Sequence, residues 1–350
     1  MNEIKIEDKT IGENSPVFLI AEAGINHNGD ILLAKKMIDK ASEAKVDAIK
    51  FQTYKTDKLI LKNTPKADYQ KISKDSDEDF YEMIKKYEFS DEIFEDLKNY
   101  CSNKNLIFLS TPFDDNSVEL LDKLNVPVFK IGSGDMNNFP LLKLICSKNK
   151  PIFLSTGMAT LNEVKLSVGF LRSNNIDEIV IFQCTSSYPA AYEDVNLNVI
   201  DTFKQEFPDL LIGFSDHSLG IEASVGAVAK GVKVVEKHFT LDKNMEGPDH
   251  KSSLDPIELN QWVLSIRNLE KALGGYDKKP SNIELEISKV ARKSVVSIKE
   301  IRKGEILTKE KIAIKRPGYG ISPINLEKII GMKVKRDISK DSIIYWEDIE

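Results

Sequence analysis

Between residues 16 and 240 the chain repeats one pattern eight times: a short apolar run followed by a longer stretch with one apolar face. Runs rich in Val, Ile, Leu and Phe are typical of strands buried in a parallel sheet, and the amphipathic stretches are typical of helices that cover such a sheet. Eight β/α units predict an α/β fold of the (β/α)8 TIM-barrel type rather than an open sheet. The predicted strands span residues 16–22, 46–54, 106–109, 126–131, 151–154, 179–183, 210–214 and 232–235.

The connection after the second predicted strand, residues 55–105, is longer and more charged than the other connections. Helices are predicted near 80–87 and 91–101, which leaves 64–77 as an exposed loop that could shape a pocket. Ahead of the first barrel strand, the alternating isoleucines within residues 4–11 predict a hairpin.

A second domain is predicted after the barrel. Residues 271–282, KALGGYDKKPSN, have the composition of a linker. We therefore divide the chain into a catalytic barrel (1–275), a linker (276–289) and a small domain (290–350). From residue 290 onward there are 14 Lys+Arg against 9 Asp+Glu, whereas the preceding residues have 35 against 46. A basic small domain beside an acidic barrel is suited to approach an anion that the barrel binds.

The first residues and the cysteines of the chain indicate the cellular compartment in which the protein is expected. The first residues lack the apolar core of a signal peptide, and no run approaches the roughly 20 apolar residues of a membrane span. The three cysteines are far apart and odd in number, so we interpret them as reduced thiols that serve as small core residues. We expect a cytoplasmic protein with neither a membrane nor a nucleic acid as partner. The cysteines are Cys101, Cys146 and Cys184.

Each of the last two predicted strands delivers a histidine at its C-terminal end. GFSDH ends at His217 and VVEKH ends at His238, and the small residues between them predict a crossover helix. The two strands are therefore expected to be neighbours, with both imidazoles at the carboxyl end of the sheet. Two imidazoles with open positions suit a catalytic divalent metal ion, although the pattern does not distinguish the first-row ions. The alternative is that each histidine is a hydrogen-bonded structural residue.

Polar residues also follow the other predicted strands. A serine after a strand is commonly only a helix cap, but polar residues at nearly every strand end are hard to explain by capping alone. Lysines, hydroxyls and backbone amides that converge on one mouth are what a phosphate-bearing substrate needs. The candidates are Glu22, Lys50, Gln52, Ser110, Thr111, Lys130, Ser133, Asp135, Ser155, Thr156, Gly157, Gln183, Thr185, Tyr188 and Ser215.

Two reaction classes fit this set of residues. Lys50 or Lys130 could form a Schiff base, as in a lysine-dependent aldolase. A metal-assisted carbon-carbon condensation would instead use the metal as a Lewis acid on a carbonyl, with the lysines neutralising an anionic partner. The histidine pair favours the condensation. A non-catalytic carbohydrate-binding protein is a third alternative, which the number of ionisable groups at the strand ends disfavours.

Ten motifs, in order from about residue 16 to residue 350, resemble those of the bacterial sialic acid synthases, which include N-acetylneuraminate, legionaminic acid and pseudaminic acid synthases. The resemblance implies a TIM barrel followed by a small C-terminal antifreeze-like (SAF) domain. It also implies that phosphoenolpyruvate condenses with an open-chain N-acetylated amino sugar to give a nine-carbon keto acid and phosphate. The motifs are IAEAGINHNGD, KFQTY, FLSTPFD, FKIGSGD, LSTGMAT, CTSSYP, GFSDHS, VVEKHFTLD, GPDHK and KRPGYGIS.

The same resemblance implies roles for individual residues. His217 and His238 would hold a divalent ion, most often Mn²⁺, with Mg²⁺ and Co²⁺ as alternatives. Glu22 and Asp135 would handle protons, with Asp135 standing where the motif commonly has a glutamate. Phosphoenolpyruvate would be bound by Lys50, Thr111, Lys130, Ser133, Ser155 and Ser215. The sugar would be bound by Gln52, Tyr188 and Asp249, and by Arg316 of the second subunit.

Assembly and substrate choice also follow from the resemblance. We expect a domain-swapped homodimer, because Arg316 is assigned to the site of the other subunit. N-acetylmannosamine is favoured as the sugar, which would make the product N-acetylneuraminate, and a 2,4-diacetamido-6-deoxy sugar leading to legionaminate is the alternative. An ice-binding role for the small domain is disfavoured, since ice-binding faces are flat and rich in Thr or Ala, whereas this segment is rich in Lys and Glu.

Overall fold

The computed structural model describes residues 3–62, 64–65 and 79–350. The chain forms two compact units, Met1–Gly274 and Gly275–Glu350. The first unit begins with an antiparallel hairpin of β1 (Ile4–Ile6) and β2 (Lys9–Ile11), as the alternating isoleucines predict.

Eight parallel strands form the body of the first unit, which confirms the predicted barrel. They are β3 (Phe18–Gly24), β4 (Ala48–Thr53), β5 (Ile107–Pro112), β6 (Phe129–Ile131), β7 (Ile152–Ser155), β8 (Ile179–Cys184), β9 (Leu211–Asp216) and β10 (Val234–His238). Their hydrogen-bonded order is β5-β4-β3-β10-β9-β8-β7-β6. Strands β5 and β6, at the two ends of this order, contact each other and nearly close the barrel.

The barrel interior has two layers. Alternate residues of each strand face inward, and those nearest the amino ends of the strands form one apolar cluster. Ile4, Ile6 and Ile11 of the hairpin belong to that cluster and close the amino end of the barrel. Inward-facing polar residues are therefore confined to the carboxyl end, where barrels of this type bind their ligands.

Helices cover the outside of the barrel and share a larger apolar cluster with the outward-facing strand residues. Asp30 accepts hydrogen bonds from the first amides of the first helix, and Met37 and Ile38 are buried on its inner face. The helices of this unit are α1 (Ile31–Glu43), α2 (Thr56–Leu59), α3 (Phe80–Tyr87), α4 (Asp91–Asn103), α5 (Asp115–Lys123), α6 (Phe139–Cys146), α7 (Leu161–Ser173), α8 (Tyr192–Val195), α9 (Val199–Glu206), α10 (Glu222–Ala229) and α11 (Pro256–Leu273).

The second unit has its own small apolar core, to which Val295, Ile312 and Ile344 belong. It contains α12 (Asn282–Ala291), an antiparallel pair of β11 (Ser294–Ser297) and β12 (Ile312–Lys315), and α13 (Leu326–Ile329). Helix α12 includes the last eight residues of the predicted linker. Ser281 and Glu284 form a capping box that starts this helix, a local signal that outweighs the loop-like composition just before it.

The long connection after β4 contains α3 and α4, as predicted. The predicted pocket-shaping loop at 64–77 lies outside the described residues, apart from Thr64 and Pro65. Over the described ranges, no helix combines the length and the apolar character needed to cross a membrane.

We predict that Ile6→Ala lowers the free energy of unfolding of the barrel by about 2–5 kcal/mol, because Ile6 is fully buried at the amino end. Ile257→Ala is the matched control: Ile257 is 80% exposed, so its truncation should change that free energy by less than about 0.5 kcal/mol. Urea unfolding followed by Trp262 fluorescence, in a Trp346→Phe background, measures both variants. Equal unfolding midpoints would show that the hairpin does not close the barrel.

Candidate active site

Strand register brings candidate residues together at the carboxyl end of the barrel. Glu22 on β3 is paired in register with Lys50 on β4 and with His238 on β10. Gln52 is paired with Thr111 on β5 in the same way. Because parallel strands end at one edge, these side chains share one layer inside the mouth.

Two lysines and two glutamates form an ionic cluster in this layer, and each side chain is almost completely buried. Lys50 Nζ lies 2.8 Å from Glu22 Oε2 and 3.7 Å from Glu236 Oε2. Lys130 Nζ donates to both oxygens of Glu236, at 2.7 and 2.8 Å. Burying charges is costly unless they are paired, and here each charge has an opposite partner.

Burial and pairing set the ionisation of the cluster. Desolvation raises the pKa of Glu22 to about 7, a rise that Lys50 only partly offsets. Desolvation also acts to raise the pKa of Glu236, but the positive charges of Lys130 and Lys50 outweigh it and hold the pKa of Glu236 well below its ordinary value. Burial lowers the pKa of Lys130 despite the attraction of Glu236. Burial also opposes the charge on Lys50, but the carboxylates of Glu22 and Glu236 outweigh it and raise the pKa of that lysine. Glu22 is therefore the member able to exchange a proton near neutral pH.

Glu236 was not among the residues that the sequence predicted for the site. It lies two positions before His238 on β10, so strand alternation places both side chains on the inner face. Lys237, between them, faces outward and forms a buried ion pair of 3.0 Å with Asp216. Side chains alternate between the two faces of a strand with a period of two residues. This alternation was the available sequence signal, and it would have identified Glu236 once His238 was assigned to the mouth.

Hydroxyl groups line the mouth beside the lysines. Thr111 Oγ1 accepts from Lys50 Nζ at 2.9 Å, and Ser215 Oγ donates to Glu236 Oε1 at 3.1 Å. Ser133 Oγ accepts from the backbone amide of Gly157 at 2.9 Å, and a Cβ at Gly157 would come within 2.8 Å of that oxygen. Ser155 is buried at the end of β7. Ammonium groups, hydroxyls and a backbone amide in one place suit an anion such as a phosphate ester.

The predicted histidine pair is close together. The rings of His217 and His238 are 5.5 Å apart between centroids, and the Tyr188 ring lies 4.2 Å from the first and 5.4 Å from the second. His217 Nδ1 is 2.7 Å from the carbonyl oxygen of Thr185, so a proton on Nδ1 is favoured. Burial acts to lower the pKa of His217, but the neighbouring Cys184 thiol and this carbonyl outweigh burial and raise that pKa. Burial and the neighbouring His217 lower the pKa of His238 well below its usual value, so this imidazole is neutral.

The histidine pair has the donor chemistry of a divalent metal site. Among the described residues, the buried Nδ1 of His238 has no hydrogen-bond partner, which is unfavourable unless something else contacts that ring nitrogen. The described ranges contain no group of three or more His, Cys, Asp or Glu arranged to hold an ion. The two imidazoles could therefore supply only part of a coordination shell, and the remaining positions would be left to substrate or water.

Three further predicted residues lie around the mouth. Gln52 Nε2 donates to Glu22 Oε1 at 3.3 Å, so it orients the carboxylate that can exchange a proton. Burial raises the pKa of Asp249 to about 6 against the opposing effect of His217. Asp135, in the short turn after β6, has its pKa raised by burial while its Oδ1 accepts from Asn138 at 2.9 Å.

Arg316 belongs to the second unit, so it is not one of the residues that the strands of the first unit bring to the mouth. It directly follows β12 and is exposed. Within the described part of the chain, its guanidinium has no hydrogen-bond or ion-pair partner, so the group is available to bind an anion or an amide oxygen.

The other two histidines have structural contacts. His27 is buried with its ring stacked on Phe89 at 4.0 Å, and His250 Nδ1 lies 2.6 Å from Thr240 Oγ1. The cysteines are free and buried, as predicted, but Cys184 is not simply a core residue. Its Sγ lies 3.8 Å from His217 Nδ1, because strand alternation turns Cys184 into the barrel mouth.

Comparison with known proteins gave consistent matches. The NeuB family profile matches residues 37–278, and the SAF domain profile matches residues 292–350. The N,N'-diacetyllegionaminic acid synthase of Legionella pneumophila is 42% identical over 98% of this chain and 97% of its own. Human N-acetylneuraminate-9-phosphate synthase is 38% identical over 97% and 94%. The crystal structure of the N-acetylneuraminic acid synthetase of Leptospira borgpetersenii, in complex with citrate, is 35% identical, with a TM-score of 0.72 over 82% of this chain and 95% of that one.

We predict a pH-dependent stability contribution from Glu22. Its folded-state pKa of about 7 exceeds the ordinary 4.5, so the folded protein holds a proton that the unfolded chain releases. The contribution is therefore fully present below pH 4.5 and declines as pH rises to about 7, by at most about 3 kcal/mol. Urea unfolding of the wild type and of Glu22→Gln at several pH values isolates this group from Asp249. The wild type should lose stability relative to the variant across that window, and a constant difference would contradict the assignment.

Proposed function

Because the chain belongs to the NeuB family, we propose that it is a sialic-acid-type synthase that condenses phosphoenolpyruvate with an open-chain N-acetylated amino sugar. The observation that supports this most is the arrangement of one barrel mouth: two buried lysines and several hydroxyls lie beside a pair of adjacent imidazoles. An anion and a carbonyl compound could be held next to each other there.

The proposed reaction joins C3 of phosphoenolpyruvate to the aldehyde carbon of the sugar. Water adds to C2, and the resulting intermediate expels phosphate to leave a nine-carbon keto acid. Lys50, Lys130 and Thr111 are proposed to bind the anionic groups of phosphoenolpyruvate, since their donors converge in the polar layer. Ser133, Ser155 and Ser215 would complete the set of donors.

Proton transfer is assigned to Glu22 and Asp135. Glu22 has a pKa of about 7 and therefore exists in both protonation states at neutral pH. Its ion pair with Lys50 is the contact that an arriving anion would replace, so binding would release Glu22 to act on the reacting groups. Asp135 has a carboxyl group one methylene shorter than the glutamate common in its motif, and its hydrogen bond from Asn138 fixes its orientation.

His217 and His238 are proposed to hold a divalent ion, most often Mn²⁺ in this family, with Mg²⁺ and Co²⁺ as alternatives. When bound, such an ion would polarise the sugar carbonyl as a Lewis acid. The protein's own contribution is to present two adjacent imidazoles, one of which is fixed by the carbonyl of Thr185.

The sugar is proposed to lie on the other side of the histidines. Tyr188 contacts both imidazole rings, Asp249 is buried close to His217, and Gln52 lies beside Glu22. These groups can donate to and accept from the hydroxyls of an open-chain sugar. The choice between N-acetylmannosamine and a 2,4-diacetamido-6-deoxy sugar is left to experiment, although the relative named for legionaminic acid has the higher identity, 42% against 38%.

We further propose a homodimer in which Arg316 of the second subunit reaches the N-acyl group of the sugar. Helix α12 supports an additional contact surface, because none of its residues is buried within the chain. Ile283, Ile287 and Val290 form an apolar stripe on that helix and are 74, 53 and 55% exposed. An apolar stripe of this kind is typical of a surface that another polypeptide covers.

We predict that the purified protein releases phosphate from phosphoenolpyruvate only when both an N-acetylated amino sugar and a divalent ion are present. A panel of N-acetylmannosamine and 2,4-diacetamido-6-deoxy sugars, assayed for phosphate, identifies the acceptor. His238→Gln should reduce turnover by at least about 100-fold and weaken Mn²⁺ binding in calorimetry. Phosphate release that is unaffected by a chelator would contradict the metal role.

A Schiff-base aldolase is distinguished by borohydride trapping. Under the proposed condensation, incubation with pyruvate and borohydride leaves Lys50 and Lys130 unmodified. Covalent labelling of either lysine, detected by mass spectrometry, would establish the aldolase mechanism instead. Sugar binding without turnover under every metal tested would point to the carbohydrate-binding alternative.

We predict that Arg316→Ala raises the KM for the sugar by about 10- to 100-fold and changes the KM for phosphoenolpyruvate by less than about twofold, because the guanidinium is assigned to the sugar end. Arg336→Ala is the matched control, since the Arg336 side chain is already paired with Asp348 within its own unit. Light scattering should show a dimer for both variants. Equal effects of Arg316→Ala on both KM values would refute the assignment, and a fully active monomer would refute the shared site.

A further inference from the structure

We propose that Glu236 is a positioning residue for the anionic substrate: its carboxylate holds the ammonium groups of Lys50 and Lys130 and the hydroxyl of Ser215 in place to receive phosphoenolpyruvate. This inference rests on the proposed function. It adds a role for a carboxylate that makes no assigned contact with substrate and acts through its neighbours.

The contacts of Glu236 reach three other strands. Oε1 accepts from Lys130 Nζ at 2.7 Å and from Ser215 Oγ at 3.1 Å. Oε2 accepts from Lys130 Nζ at 2.8 Å and lies 3.7 Å from Lys50 Nζ. Three of the residues assigned to the phosphoenolpyruvate site are thus organised by one carboxylate.

The contact between Glu236 and Lys130 crosses the barrel. Glu236 is on β10 and Lys130 is on β6, and three strands separate β10 from β6 in the hydrogen-bonded order. A lysine side chain has four methylene groups and many rotamers, so it needs a fixed partner to have one direction in an open mouth. The two bonds to Glu236 supply that direction from the opposite wall.

Stability alone does not explain this carboxylate. Replacing a buried ion pair by apolar residues of similar volume is often neutral or stabilising. The layer directly below is apolar, with Val234 two positions before Glu236 on the same face of β10. An apolar residue at 236 would have continued that layer, but it would have left two buried ammonium groups without their shared partner.

Glu236 also matters when Lys50 exchanges its partner Glu22 for the anionic substrate. Lys50 has two carboxylates near its ammonium group, Glu22 at 2.8 Å and Glu236 at 3.7 Å. When an anion replaces Glu22, Glu236 keeps Lys50 in the polar layer. It also balances part of the positive charge on the two lysines, so their burial does not depend on the substrate.

Glu236→Gln tests the proposal, because the amide keeps the shape of the side chain but replaces one acceptor oxygen by a donor. We expect the KM for phosphoenolpyruvate to rise about 10- to 100-fold, with less than about a twofold change in the KM for the sugar. Calorimetric titration of the protein with phosphoenolpyruvate, in the absence of sugar, should show a similar loss of affinity. Glu236→Asp keeps the charge and should recover part of that loss.

Asp47→Asn is the control for a merely structural effect. Asp47 is a half-buried carboxylate at the amino end of the barrel, where its Oδ2 accepts from the Leu19 amide at 2.9 Å and lies 3.1 Å from Arg267. This variant should lower the melting temperature without changing affinity for phosphoenolpyruvate. If Glu236→Gln does not fold, Glu236→Asp carries the test, with an expected rise of about 3- to 10-fold in the same KM.

The outcomes separate this inference from the proposed function. A wild-type protein that neither binds phosphoenolpyruvate nor releases phosphate with any sugar would refute the proposed function. If the wild type does both and the Glu236 variants bind phosphoenolpyruvate equally well, only the positioning role is overturned. An equal rise in both KM values, as for a general loss of structure, would also overturn it.

Discussion

The architecture of the mouth depends on the mutual compensation of four buried charges. Lys50, Lys130, Glu22 and Glu236 lie in a layer that water barely reaches, and none of them could remain charged there alone. Together they form a cluster in which both lysines stay close to carboxylates. The cluster also gives the two carboxylates opposite properties: Glu236 is held ionised by two ammonium groups, whereas burial raises the pKa of Glu22 to about 7.

The apolar layer beneath the cluster makes this arrangement sustainable. The hairpin isoleucines and inward residues such as Phe153 and Phe182 fill the amino end of the barrel. Lys130 Nζ lies 4.7 Å from the centre of the Phe182 ring, so one cation rests directly on the apolar layer. A filled base confines substrates to the carboxyl end, where the low dielectric strengthens the interaction of every charged group with an anion.

The two units divide the proposed chemistry unequally. The first unit contains every assigned residue except Arg316, and its mouth has the anion-binding and imidazole groups together. The second unit presents an exposed guanidinium and the exposed apolar stripe of α12. Both features fit the proposed homodimer, in which a neighbouring chain would cover such groups.

The sequence alone determined the barrel, because eight apolar runs of strand length alternate with amphipathic helical stretches, and it determined which residues stand at the strand ends. Ten motifs also identified the family, and profiles of the barrel and of the SAF domain match it. The sequence could not determine which side chains pair, since Glu236 and Lys130 are 106 positions apart and meet only because the sheet closes on itself. From the sequence, Cys184 was likewise predicted to be a core residue, whereas its side chain faces inward from β8 and the thiol lies beside His217. Spacing along a strand fixes the face on which a residue lies, but the distance across the barrel, and with it the ionisation of each buried group, is decided only when all eight strands are assembled.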